Sequence, residues 1–181
     1  PYGLRYNTYG DFPNKVTAVL ANNGEGLAGA NYSMAAMSGI HSAHPDWKII
    51  ATETASPSNS RGIYTTLSQY GKSGDYQCTA YDTNAVSWGN TARESWWYTI
   101  KDDFVSGEFI WTGFDYIGEP TPWNGTDKGS VSGDKLAVPN SSYFGVIDTA
   151  GFEKDSFYFY TSQWREDKQT LHIVPQSWNK K

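Results

Sequence analysis

A single carboxylate closes an otherwise apolar run. Trp47-Lys48-Ile49-Ile50-Ala51-Thr52-Glu53 is largely apolar until its C-terminal end, the pattern of a strand buried on both faces of a parallel sheet. Parallel α/β folds gather their functional side chains at the C-terminal ends of strands, which makes Glu53 a candidate catalytic carboxylate. The plain alternative is a glutamate that caps the next helix or pairs with Arg61. Two further strand ends carry polar or aromatic groups. One is Asn31-Tyr32; the other runs through Trp111, Asp115 and Glu119. A Gly-, Pro-, Asn- and Ser-rich stretch over 118–142 follows and holds Trp123. It is longer than a simple connection requires, as functional loops often are.

Other chemistry is thinly represented. His41 and His44 stand three apart with no third ligand beside them, so they read as helix-surface histidines rather than a metal site. No metal or cofactor is implied. Gly24-Glu25-Gly26 lacks the phosphate-binding fingerprint and precedes a strand rather than following one. Asn31, Asn124 and Asn140 open Asn-x-Ser/Thr triplets, but Asn31 falls in a strand where no glycan would fit. Cys78 is the lone cysteine, so no internal disulfide can form.

The elements that must position these residues alternate along the chain. Leu4 to Tyr9 is a weak strand, and Asp11 caps a helix carrying Val16, Val19 and Leu20. Leu27 to Tyr32 is a second short strand. Ser33 to His44 is a helix with Met34, Met37 and Ile40 on one face, ended by Pro45. After the Trp47–Glu53 strand come a helical start over Ser60 to Tyr70 and a polar loop over 71–90. Thr91 to Phe104 is a helix with a stripe of Ala92, Trp96, Trp97 and Ile100. Gly107 to Tyr116 is the strongest strand, Phe152 to Gln163 a last helix, and Leu171 to Val174 a short extended piece. Regular βα alternation implies parallel pairing. A doubly wound sheet and part of a (β/α)₈ barrel both fit.

Bulk properties exclude several classes. With 181 residues the chain has the length of one domain, short of the ~250 residues of a complete barrel. A net charge of −5 argues against nucleic acid, which selects a Lys/Arg surplus. Apolar runs are far shorter than the ~20 residues that span a membrane. No signal-peptide pattern opens the chain, and its start without Met fits a processed or excised segment; either an extracellular or a cytoplasmic location is compatible. Aromatic residues reach 16%, with 8 Trp and 13 Tyr. That excess serves either an aromatic core or flat faces for sugar rings.

Longer runs resemble a known family. Glu53-Thr54-Ala55-Ser56 followed by Ser60-Arg61-Gly62 resembles the nucleophile segment of family 2 glycoside hydrolases of the β-galactosidase type. The 15-residue run from Phe109 to Trp123 (FIWTGFDYIGEPTPW) is similar to that family's eighth barrel strand and following loop. Tyr143 to Phe152, Lys154-Asp155, Phe157 to Tyr160 and Gln163-Trp164 resemble the lead into the last barrel helix. Gly29-Ala30-Asn31-Tyr32-Ser33 matches the sixth strand, with Ala30 where the family more often has Tyr. Leu171 to Trp178 resembles the exit toward a β-sandwich domain.

The resemblance implies a partial (β/α)₈ TIM barrel, roughly strands five to eight with their helices. Residues 1–181 would be the C-terminal half of a catalytic barrel. It implies a retaining β-galactosidase reaction, in which Glu53 attacks the anomeric carbon and forms a covalent galactosyl-enzyme. It also implies substrate-binding roles: Tyr32 hydrogen-bonds the nucleophile, Trp111 floors the galactose site, Asp115 binds sugar hydroxyls or pairs with an Arg, and Trp123 is a sugar platform because a loop indole has little core to join. Glu119 follows closely. The family's acid/base Glu, contiguous with an Asn on the fourth strand, has no counterpart here; Asn23-Gly24-Glu25 is not that pair. The chain alone is therefore expected to be inactive. Partners would be the β-galactoside and the remainder of the parent enzyme, with self-association through open sheet edges. The competing readings are a non-catalytic carbohydrate-binding module and, within the family, a β-glucuronidase or β-mannosidase.

Overall fold

In the computed structural model, residues 27–65, 76–121, 123 and 139–176 are described. The expected elements over 4–20, and Glu25, lie outside them. The chain divides into two compact units, one formed by Pro1–Ala55 with Glu94–Ile110 and the other by Ser56–Arg93 with Trp111–Lys181.

The first unit is built on a three-stranded sheet in the order β1 (Leu27–Asn31), β2 (Lys48–Ala55), β3 (Val105–Trp111). β1 and β2 pair in parallel, from Leu27 opposite Lys48 to Asn31 opposite Glu53. The β-branched Ile and Thr residues of β2 suit a pleated, packed surface, whereas β1 contributes small residues. A methyl group on Gly29 would lie 2.9 Å from Thr52 Cγ2, so a glycine lets the Thr52 side chain lie against β1. A short 3₁₀ turn (Met34–Ala36) leads into α1 (Met37–Ala43). Met34, Met37 and Ile40 are buried as their spacing predicts, packing with Ala28, Ala30, Trp47, Ile49 and Ala51. The helix stops at His44, whose backbone leaves the helical region before Pro45. His41 stacks on Phe104 and His44 on Trp47, with ring centroids 4.0 and 3.8 Å apart. Both serve as aromatic packing partners rather than free surface groups.

α2 (Ala92–Ile100) is shorter than the sequence suggests and turns a different face inward. The apolar stripe is corrected: Trp97 and Ile100 are more than half exposed, while Ser95 and Thr99 are buried. The cause lies in the sheet, where Thr54 and Glu108 present polar groups that a Ser/Thr face can meet.

β3 likewise ends at Trp111 rather than Tyr116. From Thr112 the chain folds into isolated bridges of the second unit, Phe114 with Ile147 and Ile117 with Ser141. In that unit, the start of α2 is capped from a distance. The Asp82 carboxylate accepts the N–H groups of Ala92 and Arg93 at 2.8 and 2.9 Å, satisfying donors that a helix start leaves open. α3 spans Asp155–Trp164 and buries Ser156 and Tyr160. It begins three residues later than expected because Phe152 is committed to a turn, its N–H donating to Asp148 Oδ1 at 2.9 Å. The helical start over Ser60 to Tyr70 is not seen in its described part, 60–65, which is turn and bend. Leu171 to Val174 joins no ladder. The segment is held instead by the Tyr81 hydroxyl, at 2.6 Å from the Pro175 carbonyl, and by His172 Nε2, at 2.6 Å from Asp155 Oδ1. No helix among the described residues is long and apolar enough to cross a membrane.

Candidate active site

Glu53 stands where β2 breaks its own alternation. Ala30 pairs with Ala51 and Asn31 with Glu53, so Thr52 is an extra residue, a β-bulge. In an unbroken strand Glu53 would share the helix-covered face of Ile49 and Ala51. One inserted residue reverses the alternation. Thr54 accordingly takes the covered face and is fully buried, whereas Glu53 keeps partial exposure. The bulge thus frees the carboxylate from the helical layer.

The surroundings of Glu53 are tied down on both sides. Its carbonyl accepts the Tyr32 N–H at 2.8 Å. Thr52 Oγ1 donates to Asn31 Oδ1 at 2.5 Å. Beyond it, Thr54 Oγ1 donates to Glu108 Oε2 at 2.9 Å, and the Ala55 N–H donates to Ser95 Oγ at 2.9 Å. Tyr32, Ala55 and Ser56 all adopt the left-handed region, with φ of 51°, 62° and 65°. Non-glycine residues are held there only where surrounding structure over-determines them, a frequent mark of functional sites. Tyr32 and Glu53 are therefore adjacent across the β1–β2 pair, joined there backbone to backbone. Arg61, the alternative partner considered for Glu53, engages the second unit: its Nε lies 2.6 Å from Asp148 Oδ2 and its guanidinium covers the Phe152 ring.

The other four predicted residues lie in the second unit. Trp111 Nε1 donates to the Tyr116 hydroxyl at 3.3 Å, and that hydroxyl donates to Glu119 Oε2. The rings of Trp111 and Tyr116 meet edge to face at 5.9 Å. Burial, together with the Glu119 carboxylate, pushes the Tyr116 phenol up to about 12. Trp111 and Glu119 are thus joined through Tyr116, a residue the sequence reading quotes within the motif without assigning it a role. Its signal was present: an aromatic hydroxyl five residues after one site candidate and three before another.

Asp115 resolves toward pairing, with a lysine in place of the expected arginine. Its Oδ2 lies 2.5 Å from Lys154 Nζ, and its Oδ1 accepts the Gly145 N–H at 2.7 Å and the Ser142 hydroxyl at 3.2 Å. Gly145 must be glycine, since a Cβ there would fall 2.1 Å from the Asp115 nitrogen. Trp123 corrects the expectation that a loop indole lacks a core. It is buried beside Cys78 and Tyr143, with the Tyr76 ring edge-on at 5.3 Å. The loop residues supply the cluster themselves, and no open indole face is presented. Among the described residues no group of three His, Cys, Asp or Glu side chains could hold a metal ion.

Comparison with known proteins gives this geometry its context. No family model matches the chain. It is 38% identical over 164 residues to the beta-galactosidase BoGH2A of Bacteroides ovatus, a match covering 84% of this chain and 18% of that protein. It is 37% identical over 99 residues to a provisionally named beta-glucuronidase of Formosa agariphila, covering 54% of this chain and 8% of that one. The chain therefore spans less than a fifth of the length of these relatives. Among solved structures, a beta-glycosidase from Bacteroides vulgatus superposes with a TM-score of 0.57 at 24% identity, over 76% of this chain and 20% of that one, so the two share an α/β fold. The segment resembling a nucleophile loop, the long aromatic motif and a match across most of the chain agree: this chain belongs to glycoside hydrolase family 2.

Proposed function

We propose that this chain is the C-terminal half of a (β/α)₈ catalytic barrel in a retaining β-galactosidase, and that Glu53 is its nucleophile. The observation that carries the reading is the bulge at Thr52, which turns a strand-end carboxylate away from the helix-covered face while its backbone is held by Tyr32. Retaining glycosidases use two carboxyl groups ~5–5.5 Å apart. Glu53 supplies one: it attacks the anomeric carbon, the aglycone leaves, and water then releases galactose with retained configuration. Tyr32 orients Glu53, Trp111 provides an aromatic floor, and Glu119 fixes Trp111 through Tyr116. Asp115 acts at one remove, anchoring the loop after Trp111 to Lys154. The acid/base carboxyl comes from the upstream half, so the chain alone is inactive and, with the barrel left unclosed, self-associates through its strand edges.

Two alternatives separate cleanly. Parallel pairing and three α-helices among the described residues do not favour a carbohydrate-binding module, since such modules are usually all-β. Of the two curated relatives, one is named for a glucuronide substrate and it matches the shorter stretch, 54% of this chain against 84%. The deciding experiment recombines this chain with the upstream half of the parent enzyme and assays nitrophenyl β-galactoside beside the glucuronide. Galactosidase activity should return on mixing, and Glu53→Gln should abolish it without preventing assembly. Turnover by the pure chain, or activity surviving Glu53→Gln, would overturn the assignment.

A further inference from the structure

β3 contains a second carboxylate that none of these roles uses. Glu108 lies on the face that meets α2, where its Oε2 accepts the Thr54 hydroxyl at 2.9 Å. Its other oxygen is buried and accepts no hydrogen bond from the described residues, the nearby Thr99 hydroxyl donating instead to the Ser95 carbonyl at 3.2 Å. Burial raises its pKa, against the opposing pull of the Thr54 and Thr99 hydroxyls. A poorly satisfied buried carboxyl is costly, and an ordinary apolar side chain would fill the space between sheet and helix with less penalty.

The role of Glu108 follows from what Thr54 joins. On one side it follows Glu53 directly; on the other it precedes the left-handed pair Ala55 and Ser56. Its hydroxyl adds a side-chain link between β2, immediately past the bulge, and β3, which are already hydrogen-bonded neighbours in the sheet. Beyond it, the Ala55 N–H is fastened to Ser95 of α2. Without these anchors the strand end could relax toward regular alternation, which would swing Glu53 back toward the helical layer.

We infer that Glu108 is a positioning residue for Glu53, holding the bulged end of β2 through Thr54; this rests on Glu53 being the nucleophile proposed above. Glu108 touches no substrate. It keeps the carboxylate aimed within the narrow tolerance that attack requires.

The test uses the full-length parent enzyme. Glu108→Leu and Thr54→Val should each lower kcat about tenfold or more with KM within twofold, while Glu108→Gln and Thr54→Ser, which keep an acceptor and a donor, should retain most of kcat. The double variant Glu108→Leu/Thr54→Val removes both polar groups together and leaves none stranded. If the contact positions Glu53, the double variant folds and kcat stays low. If the contact is only a packing arrangement, kcat recovers and the inference falls. It falls equally if the double variant does not fold, since the contact is then a folding contact alone. Glu53→Gln is measured alongside. Should it retain activity, the nucleophile assignment itself is wrong; should it abolish activity while the Glu108 and Thr54 variants stay near wild type, only the positioning role is wrong.

Discussion

Lys154 Nζ sits 2.5 Å from Asp115 Oδ2 at a point where both side chains are almost wholly shut off from solvent. Burial pushes the Asp115 carboxyl up and the Lys154 ammonium down, and each partner pulls the other back. The surrounding hydrogen bonds accommodate the ionised pair. Lys154 Nζ also donates to the carbonyls of Asn59 and Tyr143, at 2.8 and 3.2 Å, which uses all three ammonium protons. Asp115 accepts from Gly145 and Ser142 in addition, both on Oδ1. One lysine thereby joins the loop after Asn59, the strand-exit loop after Trp111 and the base of α3.

Removing one partner should be far worse than removing both. Lys154→Met leaves a bare carboxylate in a dry site and should cost about 3–5 kcal/mol of stability. Lys154→Met combined with Asp115→Leu should recover part of that loss. Recovery stays incomplete because the Gly145 N–H and Ser142 hydroxyl lose their acceptor, a penalty of about 1–3 kcal/mol for each stranded group. Urea denaturation of the two variants measures the difference; a double variant no better than the single would show the pair to be strongly stabilising in its own right.

Asp148 should make the second unit acid-sensitive. Burial alone would raise its pKa, but the Arg61 hydrogen bond and the N–H groups of Phe152 and Ala150 outweigh it, and the net shift is downward. A carboxyl with a depressed folded-state pKa contributes stability that is complete above its unfolded value, near 3.9, and is lost as pH falls through the folded value. Wild type should therefore lose this contribution below about pH 4. Asp148→Asn should lack it at every pH, so the two stability curves converge on the acid side. Curves that stay parallel from pH 7 into that range would show that the Arg61–Asp148 contact contributes nothing through ionisation.

How much of this was legible in the sequence depends on which periodicity carried the signal. β1, β2 and α1 were readable because Met34, Met37 and Ile40 keep helical spacing and the β2 run is apolar. The inward face of α2 was not, because the sheet opposite it is polar at Thr54 and Glu108, and a polar helix face then buries better than Trp97. Glu53 stands out in the sequence by its place at a strand end. The bulge that aims it is invisible in sequence, since pairing register depends on a partner strand. The lysine on Asp115 was missed because 39 residues of sequence separate the two, and only the folded loops bring them together.

Trp123 offers the sharpest separation between a packing role and a sugar-binding one. Its indole is 4% exposed and is boxed by Tyr76, Tyr143 and Cys78. A platform for a pyranose would need an open ring face, and a buried anchor needs only volume. Trp123→Ala should thus cost about 3–5 kcal/mol in stability, the range for deleting a buried aromatic. Trp123→Phe keeps most of the volume and should cost much less. It also removes an indole N–H that is buried without a partner among the described residues, so no hydrogen bond to them is lost. In the recombined enzyme, a Trp123 that serves packing alone should let Trp123→Phe keep KM for nitrophenyl β-galactoside within about twofold, because a side chain outside the sugar site has no binding energy to lose. A KM raised tenfold with unchanged thermal stability would mean that the indole turns out of its cluster to meet substrate.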